Sequence, residues 1–554
     1  CMPAYQSILA DLRRSFPQPT SDRIHDSYVT HTMMRVLDQV DALKSELPIY
    51  GSKRPLDYQA ARRRRVERTG LSLEEVSSEL VSYLDGLNIW GHPRTQINIC
   101  PPPTVASLVA QVVAGLASPN LVWDEVSQRF AVAEVEVAAM VSELVGYDPQ
   151  ASAGIFTFGG TGCTLYASRI GLEKALPGSL KEGIRQDAAI LASSSGHYCK
   201  LTVAGWLGLG HKNVYSIPTD GRNQILLDQL EQKAREILSG GGRIACLIAT
   251  VGSTDSFALD DLEGILDLRD RLVAEFSLDY RPHVHADAVI GWAWSVFRGY
   301  PWEDNPLGFR PRTIRALAAT VERLTGLERA DSIGIDFHKT GFTPYVSSML
   351  LVKNSDDLRR LGRSYEEMPY LFQTGEYHPG LFTLETSRSG GGILAALANL
   401  LLFGRTGLQS LLGHLVEKAQ VLRELLEARP YLTIVNRENF GPVTLFRAYP
   451  AGVDTFRVHE RELSDRDFAD QLRAYNDYNR QLSSFLHHEA MSGRGVLLGQ
   501  SDCYRMTPFG QAVVALKSYI ISPFVEDQHL AELVDKIAQA HRHLERERSQ
   551  QTNS

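Results

Sequence analysis

Between residues 101 and 390 the chain alternates short apolar runs with longer amphipathic stretches. The runs at 187–192, 243–250, 283–286, 332–335 and 348–352 are rich in Ile, Val, Leu and Ala. Continuous apolar runs of this length read as strands buried on both faces. Between them, 226–238 and 262–276 place apolar residues at helical spacing. The alternation predicts β/α units around a mainly parallel sheet. Residues 1–100 read as a helical N-terminal segment, with Ser72-Leu73-Glu74-Glu75 as a capping box. Residues 391–554 read as a small α+β domain. It opens on a long buried helix through 393–403 and continues as helix over 411–426. Strands are expected at 443–447, 457–459 and 502–505, and a frayed tail at 543–554.

A chain of 554 residues suits two or three packed subdomains, and 44% hydrophobic with 22% charged residues is ordinary for a globular protein. The formal net charge of −8 gives no reason to expect nucleic acid or an anionic membrane as partner. The four-Arg run Arg62 to Arg65 reads as a solvated helix face. No window of about 18 uninterrupted apolar residues occurs, so no membrane span is expected. Cys1 to Tyr5 carry no basic stretch leading into an apolar one, so no signal peptide is expected. Six scattered cysteines without a CxxC pair predict a reducing cytoplasm and no metal site.

The chemistry concentrates where strands end. Ser332-Ile333-Gly334-Ile335-Asp336-Phe337-His338-Lys339 runs an apolar strand into a His-Lys pair. A desolvated amine there has a lowered pKa and can form a Schiff base with a carbonyl; a lysine snorkelling from a strand end is the plainer alternative. His283-Val284-His285-Ala286-Asp287 ends a second strand on a carboxylate. Asp287 could cap the next helix, or could face a pyridinium nitrogen. Together, a Schiff-base lysine and such an aspartate are what pyridoxal 5'-phosphate (PLP) requires. Phe158-Gly159-Gly160-Thr161-Gly162 is a Gly-rich turn into a helix, suited to a phosphate through Gly160, Thr161 and bare N–H groups. His197, after the strand at 187–192, could stack on a flat ring or be a polar loop residue. Thr250 ends another strand and could contact the cofactor's ring oxygen, and His338 could reach the phosphate or the substrate; either residue could be simple turn chemistry.

Assembled in this order, the motifs resemble the group II PLP-dependent amino-acid decarboxylases over about residues 90–405. Asp336-Phe337-His338-Lys339 matches that family's segment ending in His-Lys, His285-Ala286-Asp287-Ala288 its His-Val-Asp-Ala, and Gly196-His197-Tyr198 its stacking-His loop. The resemblance implies a type I aspartate-aminotransferase-like α/β fold and a homodimer with the active site at the subunit interface. It implies substrate contacts from His92 and Arg94, and a covering loop around 363–380 that carries a proton-donating Tyr. Tyr365, Tyr370 and Tyr377 are the candidates, with Tyr370 and Tyr377 favoured. Phe337 and Asp336 depart from the usual Pro and Asn, and a carboxylate at 336 would repel a phosphate.

The expected activity is α-decarboxylation of an L-amino acid through Lys339. Carbon–carbon cleavage of the sphingosine-phosphate lyase type, decarboxylation-dependent oxidative deamination, and an inactive scaffold keeping the fold are the alternatives. The intact set of Lys339, Asp287 and His197 argues against the scaffold.

Overall fold

The computed structural model describes residues 4–184, 186–368 and 375–552. Its strands are β1 (Thr95–Gln96), β2 (Ala153–Thr157), β3 (Ala188–Ser193), β4 (Val214–Ile217), β5 (Arg243–Thr250), β6 (His283–Asp287), β7 (Ser332–Asp336), β8 (Ser348–Val352), β9 (Leu432–Ile434), β10 (Val443–Ala448), β11 (Leu497–Met506) and β12 (Ala512–Tyr519). Seven of them form one sheet in the order β2-β8-β7-β6-β5-β3-β4. Pairings from β4 through β7 are parallel, and β8 runs antiparallel between β7 and β2. Every residue of β3, β6, β7 and β8 is buried, which explains why these strands read as unbroken apolar runs.

Helices cover the sheet through single faces. In Leu227–Ser239 the buried residues Leu230, Ala234 and Leu238 recur every fourth position. Helix Gly160–Ala175 lies so close that a β-carbon on Gly171 would stand 2.3 Å from Ala245 O.

The small domain carries a five-stranded sheet, β1-β11-β12-β10-β9. Its first strand comes from the N-terminal segment: Thr95 and Gln96 pair in parallel with Leu497 and Leu498. The N-terminal segment is therefore not wholly peripheral. Ser72 caps its helix as expected, in a full capping box with Glu75. The strand expected at 457–459 is instead part of helix Thr455–Ser464, capped by Asp454. The tail expected to fray continues as helix Asp527–Thr552.

Among the described residues, one helix, Gly391–Glu427, is long and apolar enough to cross a membrane. It breaks at Gly404, and it buries Asn399, Lys418 and Arg423 against protein partners. It serves as a core helix, packing on Val105–Ala117.

The small domain depends on a buried cation. Arg447 and Glu462 are fully buried and paired at 2.5 Å, and Arg447 also donates to Asn476 Oδ1 at 2.9 Å and to Val514 O. This ties β10 to helix Thr455–Ser464 and helix Ala469–Met491. Glu462→Ala leaves Arg447 buried and uncompensated, so stability falls by about 3–5 kcal/mol. Chemical denaturation measures this, and a loss under about 1 kcal/mol contradicts the role given to the pair.

Candidate active site

The parallel strands end at a cavity of about 1180 Å³, walled on its far side by residues 503–508 of the small domain. Gly160, Thr161, His197, Thr250, Asp287, His338 and Lys339 all line it. Ligands bind at this edge of open α/β sheets because loops there gather groups from several strands.

Lys339 sits in a one-turn helix, Phe337–Thr340, directly after β7. Phe337, fully buried, anchors that turn: its ring stacks on Phe156 at 5.7 Å and meets Trp292 edge-on at 5.1 Å. An apolar anchor of this size explains how Phe can stand where a Pro was expected. The Lys339 amine lies 2.8 Å from Asp336 Oδ2. Burial alone would pull its pKa down, but Asp336, and then Asp287, outweigh burial and the net shift is upward. The lowered pKa expected from the sequence is thus overturned by the carboxylate three residues earlier.

Asp287 ends β6, paired in register with Thr250 of β5 and Gly334 of β7. Burial raises its pKa, and the nearby Lys339 and His197 pull it partly back. Thr250 is fixed by Asp260, whose carboxylate accepts the Thr250 N–H at 2.7 Å and the Ile225 N–H at 2.7 Å. Burial pushes Asp260 up to about 6.

His197 accepts the Cys199 N–H on Nδ1 at 3.2 Å and stacks on Tyr198 at 4.2 Å. Burial lowers its pKa, so the ring is neutral near neutral pH with its proton on Nε2. His338 packs on Tyr345, which also lines the cavity, with ring centroids 4.0 Å apart.

Three expected contributors lie elsewhere. Arg94 pairs with Glu532 at 3.0 Å and Glu46 at 3.7 Å, and neither it nor His92 lines the cavity. Tyr377 is half-buried away from the cavity and donates to Glu134 Oε2 at 2.9 Å, inside the Glu134–Arg388 ion pair. Tyr370 lies outside the described residues. The sequence reading missed Asn98, two residues beyond β1, and Asp255 and Arg505, all of which line the cavity. Asp255 lies five residues beyond Thr250, the strand end singled out from the sequence, a signal that could have found it.

These groups fit a phosphate-bearing pyridine aldehyde. Helix Gly160–Ala175 has no side-chain cap, and Gly159 takes φ 110°, which favours glycine. A β-carbon on Gly160 would stand 2.9 Å from Val289 Cγ1, so only glycine fits there, and Gly160 and Thr161 at the start of the helix line the cavity. A buried carboxylate, a buried amine and a neutral imidazole complete the set. Among the described residues no cluster of His, Cys, Asp or Glu could hold a metal ion.

The fold and site define a type I PLP enzyme. Residues 66–448 match the pyridoxal-dependent decarboxylase conserved domain, and the chain belongs to that family. It is similar to L-2,4-diaminobutyrate decarboxylase of Acinetobacter baumannii, 24% identical over 70% of this chain and 73% of that protein. Aspartate 1-decarboxylase of Aliivibrio fischeri is 25% identical over 64% of each. The fold matches Oryza sativa TDC solved with PLP and tryptamine, with a TM-score of 0.75 and 17% identity over 95% of this chain and 99% of that one.

Two buried imidazoles on β6 give the site's scaffold a pH dependence. His283 Nε2 and His285 Nδ1 share Ser332 Oγ at 2.7 and 2.9 Å. Burial lowers both pKa values, His285 to about 3. In the unfolded chain these rings titrate near ~6.5. Between those values the unfolded chain binds protons that the native state refuses, so stability falls as pH drops through the window. Denaturation midpoints at about pH 7 and about pH 5 should show that fall, and His285→Gln should show a smaller one. An equal fall in the variant contradicts the assignment.

Proposed function

We propose that this chain removes the α-carboxyl group of an L-amino acid bearing a small polar side chain, releasing the amine and carbon dioxide. The observation that carries the reaction is the convergence of Lys339, Asp287 and the uncapped Gly160–Thr161 turn on one cavity. PLP, when bound, supplies a ring that takes up the electron pair left as carbon dioxide departs. Lys339 Nζ provides the amine that holds the cofactor. The backbone N–H groups of Gly160 and Thr161, with the Thr161 hydroxyl, hold its phosphate. Asp287 places a fixed negative charge where a ring nitrogen would carry a proton, and burial makes that charge act at full strength. Tyr377 is engaged with Glu134, so the proton returned to the α-carbon comes from His197, with its proton on Nε2, or from Tyr370. The small-domain wall at 503–508 limits access of water.

The substrate class is inferred from the rest of the wall. Asn98, Ser195, Asn223, Thr254, Asp255 and Arg505 present hydrogen-bonding and charged groups, which favour a polar side chain over an aromatic one. Relatives acting on diaminobutyrate and aspartate support this choice.

We further propose a homodimer. Helix Val105–Ala117 turns one face to Gly391–Glu427 and leaves Val105, Leu108, Val109, Val112, Val113 and Leu116 exposed. A contiguous apolar face of this kind calls for a partner, and a second copy supplies one. Among the described residues, the cysteines at 100, 163, 199, 246 and 503 are unpaired, which supports a reducing cytoplasm.

Mass spectrometry of products tests the reading, after the PLP-loaded protein meets a panel of amino acids in air. The amine of a small acidic or diamino acid is expected. An aldehyde or keto acid as sole product moves the reaction to oxidative deamination or transamination, and an aromatic amine overturns the substrate class.

A further inference from the structure

The charges on the cavity wall are matched, with one exception. Lys339 sits 2.8 Å from Asp336. Asp287 is left for the ring nitrogen in the function proposed above. Asp255 is spent inside the small domain: buried Lys517 holds its Oδ1 at 2.9 Å, and Ser501 Oγ donates to its Oδ2 at 2.7 Å. A carboxylate so engaged offers little to the ammonium of a substrate. Arg505, by contrast, lines the cavity and forms no ion pair among the described residues. Its Nε and Nη2 both donate to Asn223 Oδ1, at 3.2 and 2.6 Å, and Nη2 also donates to Asp220 O at 2.7 Å. An amide oxygen and a main-chain carbonyl fix the guanidinium without neutralising it. The Asp220 carboxylate instead accepts the N–H groups of Arg222 and Gln224, at 2.8 and 2.9 Å. Among the described residues Nη1 has no hydrogen-bond partner, so its charged N–H donors remain for a ligand.

The backbone is shaped to hold Arg505 there. β11 pairs Ser501 with Ala515 and Arg505 with Val513, so the four steps from 501 to 505 face the two from 515 to 513. A bulge of this kind re-aims a side chain next to a site. Asn223, the clamp, is buried and takes φ 61°, a conformation that Asn tolerates better than most residues. Its main-chain O accepts from Ser195 Oγ at 2.8 Å, two residues before His197. Its Nδ2 donates to Ser256 Oγ at 3.2 Å, in the loop that follows Thr250. The clamp on Arg505 is therefore tied to both loops that carry candidate cofactor contacts.

We propose that Arg505 receives the side-chain carboxylate of the substrate, so that the enzyme acts on an acidic L-amino acid and discriminates against diamino and uncharged ones. A guanidinium held in place with Nη1 open binds a carboxylate through charge-assisted hydrogen bonds, and it repels the ammonium of a diamino acid. Arg505 sets specificity and takes no part in breaking the carbon–carbon bond. The inference rests on the decarboxylase reading above and selects between the two substrate classes that reading leaves open.

Two measurements on the PLP-loaded protein test it. The first compares kcat/KM for L-aspartate, L-glutamate, L-2,4-diaminobutyrate and L-2-aminobutyrate in the parent and in Arg505→Gln. The parent should prefer an acidic substrate. In Arg505→Gln the ratio of acidic to uncharged substrate should fall by about 10–100-fold, mainly through KM, and Arg505→Lys should restore part of it. A parent that prefers diaminobutyrate overturns the proposal. So does an equal loss on every substrate, which would place Arg505 on the α-carboxylate or in the support of the fold. The second measurement titrates succinate and butyrate, which lack the reacting amine, by calorimetry. The parent should bind succinate more tightly, and Arg505→Gln should erase the difference; a difference that persists in the variant overturns the proposal. A parent that turns over none of the four, yet shows an Arg505-dependent preference for succinate, defeats the decarboxylation and the substrate claim with it. Turnover without that preference defeats this inference alone.

Discussion

The site is built on the cost of taking charge out of water. Asp287, Asp336 and Lys339 are carried into the protein by strands buried on both faces. Burial weakens the solvation of each charge, so each answers first to its neighbours. Lys339 keeps its proton because Asp336 is 2.8 Å away. Asp287 has no such dedicated partner, and burial drives its pKa up. An under-compensated carboxylate at the floor of a cavity is a standing demand for a cation, the demand that the ring nitrogen would meet in the function proposed above.

The sheet explains why these groups meet. In-register parallel pairing of β5, β6 and β7 sets Thr250, Asp287 and Gly334 side by side, and Lys339 follows within one helical turn of β7. Phe337, wedged between Phe156 and Trp292, fixes that turn through packing where a rigid proline would otherwise do so. The second wall comes from the small domain, whose own integrity runs through the buried Arg447–Glu462 pair.

Strand ends were legible in the amino-acid sequence because an apolar run stopping at a charged residue is a local signal. Asp287 and Lys339 were found that way, and the Gly159–Gly160 turn by its glycines ahead of a helical run. What escaped depends on tertiary distance. Arg94 is claimed by Glu532, 438 positions away. Tyr377 looked available until Glu134 was seen to hold it. The short run Arg457-Val458-His459 carries no period long enough to separate strand from helix, and the Asp454 cap decides for helix. Asp336 was noticed as a departure, but its pairing with Lys339 and its closeness to Gly160 are set by folding alone.

The most direct test is to reduce the PLP-loaded protein with borohydride and locate the pyridoxyl group by peptide mass spectrometry. The cofactor should be found on Lys339, in the peptide that contains Asp336-Phe337-His338. Lys200, three residues beyond His197, is a second buried lysine, with a pKa lowered by burial and its amine on Ser193 O. Attachment there, or at no lysine, would contradict the assignment on which the reaction rests.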